Sequence, residues 1–303
     1  MFATRSSAAK ISLAAVIGLI AFKVAVGVIT GSISVLAQAA DSFLDLFAIT
    51  ITFLAIVFAG RPADDEHPFG HGKVENIAAV VQAVLIFIAG GLIVYSAVRR
   101  IITGTVLEMT EAGIGVMLVS IAVSLFLSRY LLRVSRTTDS VALEANARNI
   151  AADVYSAAGV LVGLVVIRFT GLVIIDPIVA LLVSLVIFRS AYEVLRKSFG
   201  GLLDTRLPET EENVIRGAII EHVGELVDYH KLRTRKAGSQ RYVDLHLVMP
   251  RNVSLEDAHK MCDHLEQDIK TKLRQASVTI HVEPCDERCE QCPIPPGLRK
   301  DRT

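Results

Sequence analysis

The sequence predicts a membrane protein built from an all-α bundle of six transmembrane helices and a small α+β domain that follows it. Three observations lead to this fold class. The chain of 303 residues is 52% apolar, more than the roughly 45–50% of an average soluble domain. Six stretches each hold about the 20 mostly apolar residues that cross a bilayer as a helix. From about Asp204 onward, charged residues and alternating apolar residues are typical of a soluble domain.

The six predicted spans occupy the part of the chain before Asp204 and are joined by short connections. Because their number is even, both termini are expected on the same side of the membrane. The predicted spans are Ile11–Ile29, Ile33–Ala59, Ile77–Val98, Ala112–Leu132, Val141–Ile167 and Asp176–Val194.

Charge is balanced over the whole chain, with 31 basic and 31 acidic side chains. No net field therefore indicates a nucleic-acid partner. Basic residues in the loops after spans 2 and 4 predict that these loops and both termini are cytoplasmic, although Arg99 and Arg100 on the other side oppose this bias. The loop residues are Arg61, Lys73, Arg133 and Arg136.

The soluble part predicts the element order αββαβ, as in ferredoxin-like or metallochaperone-like domains. Residues Glu209–Val223 are expected to form a helix, and Leu232–Arg235 and Tyr242–Met249 two strands. Ser254 begins a second helix with a capping-box pattern, and Val278–Val282 forms the closing strand.

The chain is thus expected to divide into a six-span domain at 1–203, an αββαβ domain at 204–284 and a flexible tail at 285–303. The apolar run that follows the N-terminus is too long for a signal peptide and lacks a cleavage site, so we expect it to be retained. The tail contains Cys285, Cys289 and Cys292. Their short spacing fits thiolate ligands of a metal in a reducing compartment, or free thiols on a mobile tail, better than a disulfide framework.

Carboxylates within the predicted spans are the strongest functional signal. Asp41 and Asp45 lie four residues apart in span 2, and Asn149 and Asp153 repeat this spacing in span 5. Each pair lies on one helix face, so four oxygen donors from two helices can meet in one cage. Ionisable groups in lipid cost about 2.5–3.5 kcal/mol each, and a divalent cation would supply the counter-charge.

The alternative is that these carboxylates have a purely structural role. The acids could cap helix ends or pair with Lys23 in span 1, but one lysine cannot offset three acids. Without metal, burial and mutual repulsion favour proton uptake by the carboxylates. An exchange of metal for protons is therefore expected.

The loop after span 2 contains a second set of metal-binding residue types. Asp64, His67 and His71 offer one carboxylate and two imidazoles at short spacing, which is typical of a Zn²⁺ site. The alternative is a solvated polar loop with no metal. Gly70 and Gly72 argue against this alternative, because they indicate a loop of defined shape.

Taken together, these motifs resemble the cation diffusion facilitator family, and most of all its bacterial zinc and ferrous-iron exporters. The resemblance rests on Asp41-x-x-x-Asp45, on the loop Asp-Asp-Glu-His-Pro-Phe-Gly-His-Gly-Lys-x-Glu, on the polar pair of span 5 and on the αββαβ domain. It extends from about residue 10 to Pro284. It implies a homodimeric, proton-coupled antiporter in the bacterial cytoplasmic (inner) membrane that exports Zn²⁺, Fe²⁺ or Mn²⁺ by alternating access, with lipid and protons as its other partners.

The resemblance carries a tetrahedral transport site onto Asp41, Asp45, Asn149 and Asp153. Zinc-transporting relatives usually have His where this chain has Asn149. An all-oxygen site suits Mn²⁺ or Fe²⁺ better relative to Zn²⁺. It also lacks the imidazole that would titrate near neutral pH, so proton coupling would depend on the carboxylates alone.

The resemblance also implies metal sites outside the membrane. The loop site falls on Asp64, His67 and His71, and a regulatory two-metal site, expected to hold Zn²⁺, lies at a dimer interface of the cytoplasmic domain. The cytoplasmic ligands implied are His230, His246, His259, His281 and Glu283, and the tail thiolates could add to them. His222 and His264 match no family pattern and are interpreted as solvated surface residues.

Lys73 and Asp204 stand at the positions that the family uses for a charge interlock between protomers. The alternative is two ordinary charges beside the membrane, since exposed ion pairs contribute little to stability.

Two other classes of protein compete with the transporter. Intramembrane aspartyl proteases also have paired membrane aspartates, but their dyad spans two helices, whereas Asp41 and Asp45 share one. A non-transporting metal sensor on the same scaffold is the other class, and the intact set of three membrane carboxylates argues against it.

Overall fold

The computed structural model describes residues 4–103, 111–170, 172, 174–222 and 226–285. Six of the helices in this part of the chain are long and apolar enough to cross a membrane. They are α1 (Arg5–Thr30), α2 (Ile33–Ala59), α3 (Lys73–Thr103), α4 (Glu111–Thr138), α5 (Val141–Thr170) and α6 (Ile175–Leu202). The predicted bundle is therefore confirmed.

Most of these helices are longer than the apolar runs that predict them. Helix α3, for example, begins at Lys73 and ends at Thr103, whereas its predicted span runs only from Ile77 to Val98. The apolar pattern marks the hydrocarbon part of a span. The backbone hydrogen bonds continue into the polar ends, because an interrupted helix would leave amide groups without partners.

The helices pack closely where small residues allow it. Gly90 of α3 faces Phe188 of α6, and a Cβ atom at Gly90 would lie only 2.8 Å from the phenyl Cε1 atom. Such small residues let two helix backbones approach in a membrane, where dispersion replaces the hydrophobic effect as the driving force.

A buried carboxylate joins three helices at one end of the bundle. Glu75, near the start of α3, has no exposed surface. Its Oε1 atom lies 2.6 Å from Nη1 of Arg5 at the start of α1, and its Oε2 atom accepts a hydrogen bond of 2.5 Å from Ser140 Oγ. Ser140 also accepts from the backbone N–H of Leu143 in α5. One side chain therefore fixes the first turns of α1, α3 and α5.

An ion pair joins two helices at the other end of the bundle. Arg100, in the last turn of α3, places Nη1 2.7 Å from Oδ2 of Asp176, in the first turn of α6. Each charge has the favourable sign for the helix end at which it lies.

The residues from Leu203 onward form a second compact unit. Its elements are α7 (Glu209–Ile220), β1 (Asp228–Ala237), β2 (Gln240–Met249), α8 (Leu255–Lys272) and β3 (Ala276–Pro284). The strand order is β1-β2-β3, antiparallel between β1 and β2 and parallel between β2 and β3. The predicted order αββαβ is confirmed; Val223, the predicted end of the first helix, and the tail from 286 onward lie outside the described residues.

The core of this unit lies between one face of the sheet and the two helices. Alternate residues of β2 are buried, whereas the side chains between them are only partly covered. The sheet therefore has a core face and an outer face. The core includes Val243, Leu245 and Leu247 of β2 with Ile215 and Ile219 of α7 and Leu265 and Ile269 of α8.

We predict that Glu75→Ala lowers the free energy of unfolding by about 3 kcal/mol, because Arg5 and Ser140 both lose their contact with a buried carboxylate. Denaturant unfolding in detergent micelles measures the change. Glu66→Ala removes an exposed loop carboxylate and is expected to change stability by less than about 0.5 kcal/mol. Equal effects of the two substitutions would contradict a structural role of Glu75.

Candidate metal sites

The three membrane carboxylates line one cavity of about 450 Å³ within the bundle. The sequence predicts a site between α2 and α5, and the structure adds walls from α1 and α4. Asp41 and Asp45 enter from α2 and Asp153 from α5. Polar side chains also line the cavity, namely Lys23, Gln38, Ser42, Ser120, Ser124 and Ser156.

Asn149, the fourth predicted ligand, does not line this cavity. It lies one turn before Asp153 on α5, and only 8% of its surface is exposed. The structure thus brings three of the four predicted residues together, and ligation by Asn149 stays a prediction.

Lys23 reaches the same cavity from α1. Its Nζ atom donates a hydrogen bond of 2.7 Å to Ser42 Oγ, so a hydroxyl group is its hydrogen-bond partner. One amine beside three carboxylates leaves an excess of negative charge when all four are ionised. Such an environment attracts cations.

The serines of α4 are cavity residues that were not predicted from the sequence. Ser120 and Ser124 are four residues apart and line the cavity, and no described residue forms a hydrogen bond with the buried Ser120 Oγ atom. The signal that would have identified them is this i, i+4 spacing of hydroxyl groups in an otherwise apolar span.

The loop after α2 gathers its three predicted ligands tightly. Donor atoms of Asp64, His67 and His71 all lie within 4.8 Å of one another. The Asp64 carboxylate places Oδ1 3.2 Å from His67 Nδ1 and Oδ2 3.4 Å from His71 Nε2. His71 is 5% exposed and packs edge-on against Phe58 of α2, with ring centroids 4.8 Å apart.

Backbone geometry holds this loop in place. The Asp64 carboxylate accepts a 2.7 Å hydrogen bond from the backbone N–H of His67, and Gly70 adopts a left-handed φ of 75°. The hydrogen bond from His67 lowers the pKa of the Asp64 carboxyl from its ordinary value. Asp64 is therefore ionised at neutral pH, which is the form that binds a cation.

A row of histidines crosses the outer face of the sheet in the second unit. His230, His246 and His281 are register partners on β1, β2 and β3. The register of β1 and β2 shifts between His230 and Arg233, where Lys231 adopts a left-handed φ of 52°, so His230 is the last residue of β1 to pair before the bulge. Adjacent imidazole centroids are 5.3 Å and 4.7 Å apart.

Glu283 of β3 contacts all three of these rings. Its carboxylate lies 2.6 Å from His246 Nδ1, 3.2 Å from His230 Nε2 and 3.6 Å from His281 Nε2. The hydrogen bond from His246 lowers the pKa of the Glu283 carboxyl from its ordinary value. We call His230, His246, His281 and Glu283 the sheet cluster.

Two other predicted ligands of this unit lie apart from the sheet cluster. His259 is exposed on α8, where its Nε2 atom is 3.6 Å from Asp263. It belongs to the helical layer, and the sheet separates this layer from the outer face. Cys285 is 5% exposed at the end of β3, where its backbone bonds to Met249 and Arg251. Cys289 and Cys292 lie outside the described residues, so thiolate ligation stays a prediction.

The predicted interlock residues have partners within their own units. Lys73 Nζ donates to the carbonyl oxygen of Leu202, and the Asp204 carboxylate lies 3.3 Å from Nη1 of Arg235. An interlock between protomers would have to exchange or share these contacts.

A third compact group of ligand types was not predicted. His222, His264 and Asp268 hold donor atoms within 4.8 Å of one another. The interpretation of His222 as a solvated residue is wrong, since only 9% of it is exposed. The i, i+4 spacing of His264 and Asp268 was visible in the sequence, but nothing there placed His222 beside them.

Comparisons with known proteins cover both units. Residues 9–203 match the cation efflux transmembrane domain, and residues 207–285 match the cytoplasmic domain of cation efflux proteins. The chain is 30% identical over 279 residues to an uncharacterized transporter from Synechocystis sp., covering 92% of this chain and 90% of that one. It is 33% identical over 256 residues to the cation-efflux pump FieF of Salmonella typhi, covering 84% and 85%.

A match to a solved structure covers part of the chain. The metal-bound C-terminal domain of the CzcD transporter from Thermotoga maritima is 23% identical, with a TM-score of 0.24, and the match covers 26% of this chain and 94% of that one. The family profile over residues 9–203 and the two relatives that match most of the chain show the family. This integral membrane protein is a metal cation efflux transporter of the cation diffusion facilitator family.

Proposed function

We propose that the transporter exports a divalent transition-metal cation from the cytoplasm in exchange for protons, by alternating access. The observation that carries the proposal is the cavity shared by Asp41, Asp45 and Asp153. Three carboxylates in hydrocarbon need a positive partner, and Lys23 supplies only one charge. A divalent cation or protons can supply the rest, and competition between the two couples their movements.

The cavity walls suggest how access alternates. Two pairs of consecutive helices, α1 with α2 and α4 with α5, carry the lining residues, whereas α3 packs mainly along α6. Rocking of the first group against the second would open the cavity to one face of the membrane and then to the other. The carboxylates would hold the cation throughout this movement, and protons from the outside would displace it.

The proposed cargo is Zn²⁺, Fe²⁺ or Mn²⁺. The three carboxylates of the cavity are oxygen donors, which suit harder cations. The relatives include the cation-efflux pump FieF. In line with the family resemblance, we place the chain in a bacterial inner membrane with both termini in the cytoplasm.

We also propose that the chain works as a homodimer whose second unit senses metal. The sheet cluster lies on the outer face of a three-stranded sheet, and His259 lies in the other layer, so a site that uses both needs a second copy of the chain. Zn²⁺ bound by the sheet cluster would tighten this dimer, with Lys73 and Asp204 fastening the membrane end. Asp64, His67 and His71 in the loop after α2 would form another Zn²⁺ site.

We predict that Asp45→Ala or Asp153→Ala lowers metal uptake into proteoliposomes at least about tenfold, because each removes a charged ligand of the cargo. Uptake of Zn²⁺, Fe²⁺, Mn²⁺ and Cd²⁺ is measured in parallel. Asp65→Ala, which removes an exposed loop carboxylate, serves as the control and should retain uptake. If the unmodified protein moves none of the four ions, the chain is a sensor that uses the same scaffold.

We predict that a pH gradient, acidic on the side that receives the metal, accelerates transport by the unmodified protein. Protons then compete with the cation for the carboxylates at the exit side. Metal flux and internal pH are followed together with fluorescent indicators, and Asp45→Ala vesicles provide the background. Metal flux that is indifferent to the gradient would exclude proton coupling.

We predict that Asn149→His raises the ratio of Zn²⁺ to Mn²⁺ transport about tenfold, equivalent to about 1.4 kcal/mol, because an imidazole favours Zn²⁺. Asn149→Gln keeps an amide oxygen and is the matched control, for which the ratio should stay unchanged. An unchanged ratio in the histidine variant would remove Asn149 from the transport site and leave the three carboxylates.

A further inference from the structure

The group formed by His222, His264 and Asp268 contains none of the residues that the family resemblance assigns to a metal site. His222 follows the end of α7, and the other two residues lie one turn apart on α8. The group therefore belongs to the helical layer, on the other side of the core from the sheet cluster. We call it the helix cluster.

His222 is held in an orientation that suits a metal ligand. Its Nδ1 atom lies 2.9 Å from the carbonyl oxygen of Ala218, one turn back on α7. A carbonyl can only accept, so Nδ1 carries the proton and the lone pair of the neutral ring is on Nε2. That atom faces Asp268 Oδ2 at 3.3 Å. Metal-binding histidines are commonly fixed by such a bond from the other ring nitrogen.

His264 and Asp268 complete a set of three donors. Their i, i+4 spacing places both on one face of α8, as in helical metal motifs. The rings of His222 and His264 meet edge to face with centroids 5.1 Å apart. Burial increases from His264, which is exposed, through Asp268 to His222, so the group has an inner anchor and an outer opening.

We propose that the helix cluster is a separate binding site for a divalent metal ion of the Zn²⁺ class. Two imidazoles and one carboxylate match the ligand sets of three-residue zinc sites, in which water or another ligand fills the fourth position. A simple ion pair between His222 and Asp268 would not require the second imidazole.

A metal ion in this position would fasten the end of α7 to α8. Both helices cover the same sheet face, with Ile219 and Leu265 in the shared core. Occupancy would therefore stabilise the helical layer, whatever the state of the sheet cluster. This site is independent of the transport proposal, since none of its residues belongs to the bundle.

Zinc bound per chain, measured by elemental analysis of the full-length protein in detergent, tests the proposal. The background variant is His230→Gln with His246→Gln, which removes two ligands of the sheet cluster. The cavity and loop sites are unchanged in every sample and contribute equally. Asp268→Asn and His264→Gln are then introduced separately, after equilibration with buffered Zn²⁺.

Each test variant is expected to lose about one zinc ion per chain relative to the background. Glu266→Gln is the matched control, because it changes an acid to its amide two residues earlier on α8, where Glu266 pairs with Lys270; it should keep all the zinc. Zinc should also raise the melting temperature of the Glu266→Gln control more than that of His264→Gln. The other metal sites are present in both variants, so any shift that they cause is the same in both.

Zinc content that stays unchanged in His264→Gln overturns the proposal and leaves the cluster as a hydrogen-bonded contact between helices. His264 is exposed, and its substitution removes only the edge-to-face contact with His222, so we expect the helical layer to stay folded. If Asp268→Asn unfolds, His264→Gln decides the question alone.

Discussion

The desolvation of charge inside a hydrocarbon layer is the constraint on which the structure of the membrane bundle depends. Each ionised side chain at membrane depth costs about 2.5–3.5 kcal/mol on insertion scales. The bundle keeps Asp41, Asp45 and Asp153 because they share one cavity of about 450 Å³ with Lys23 and several hydroxyl groups. The residual negative charge of this cavity supports the proposal that it binds a cation. The transport proposal follows from electrostatics before any ligand geometry is considered.

The same constraint organises the two ends of the bundle. Glu75 is fully buried and is balanced by Arg5 and Ser140, and Asp176 is balanced by Arg100. Both contacts join helices at their terminal turns, and none of these residues lines the cavity. The charged contacts that hold the helix ends are thus separate from the polar cavity. This separation is compatible with helices that move against each other around a fixed site.

Strand alternation organises the second unit in a comparable way. Leu245 and Leu247 face the helices, so His246 between them must face outward. The register of the three strands then aligns it with His230 and His281, and Glu283 reaches all three rings. One layer of this unit therefore carries the sheet cluster and the other carries the helix cluster, with an apolar core between them.

The sequence by itself determined the six spans, the αββαβ order, the loop residues Asp64, His67 and His71, and the three cavity aspartates, because each depends on local periodicity or short spacing. Tertiary structure decided what distant segments bring together. Ser120 and Ser124 reached the cavity and Asn149 did not, since helix rotation sets which faces meet. His222 joined His264 and Asp268 because α7 and α8 pack side by side. His259, which the family resemblance groups with the sheet histidines, lies in the opposite layer. Spacing along one helix predicts a shared face, whereas contact between helices depends on packing that no local pattern encodes.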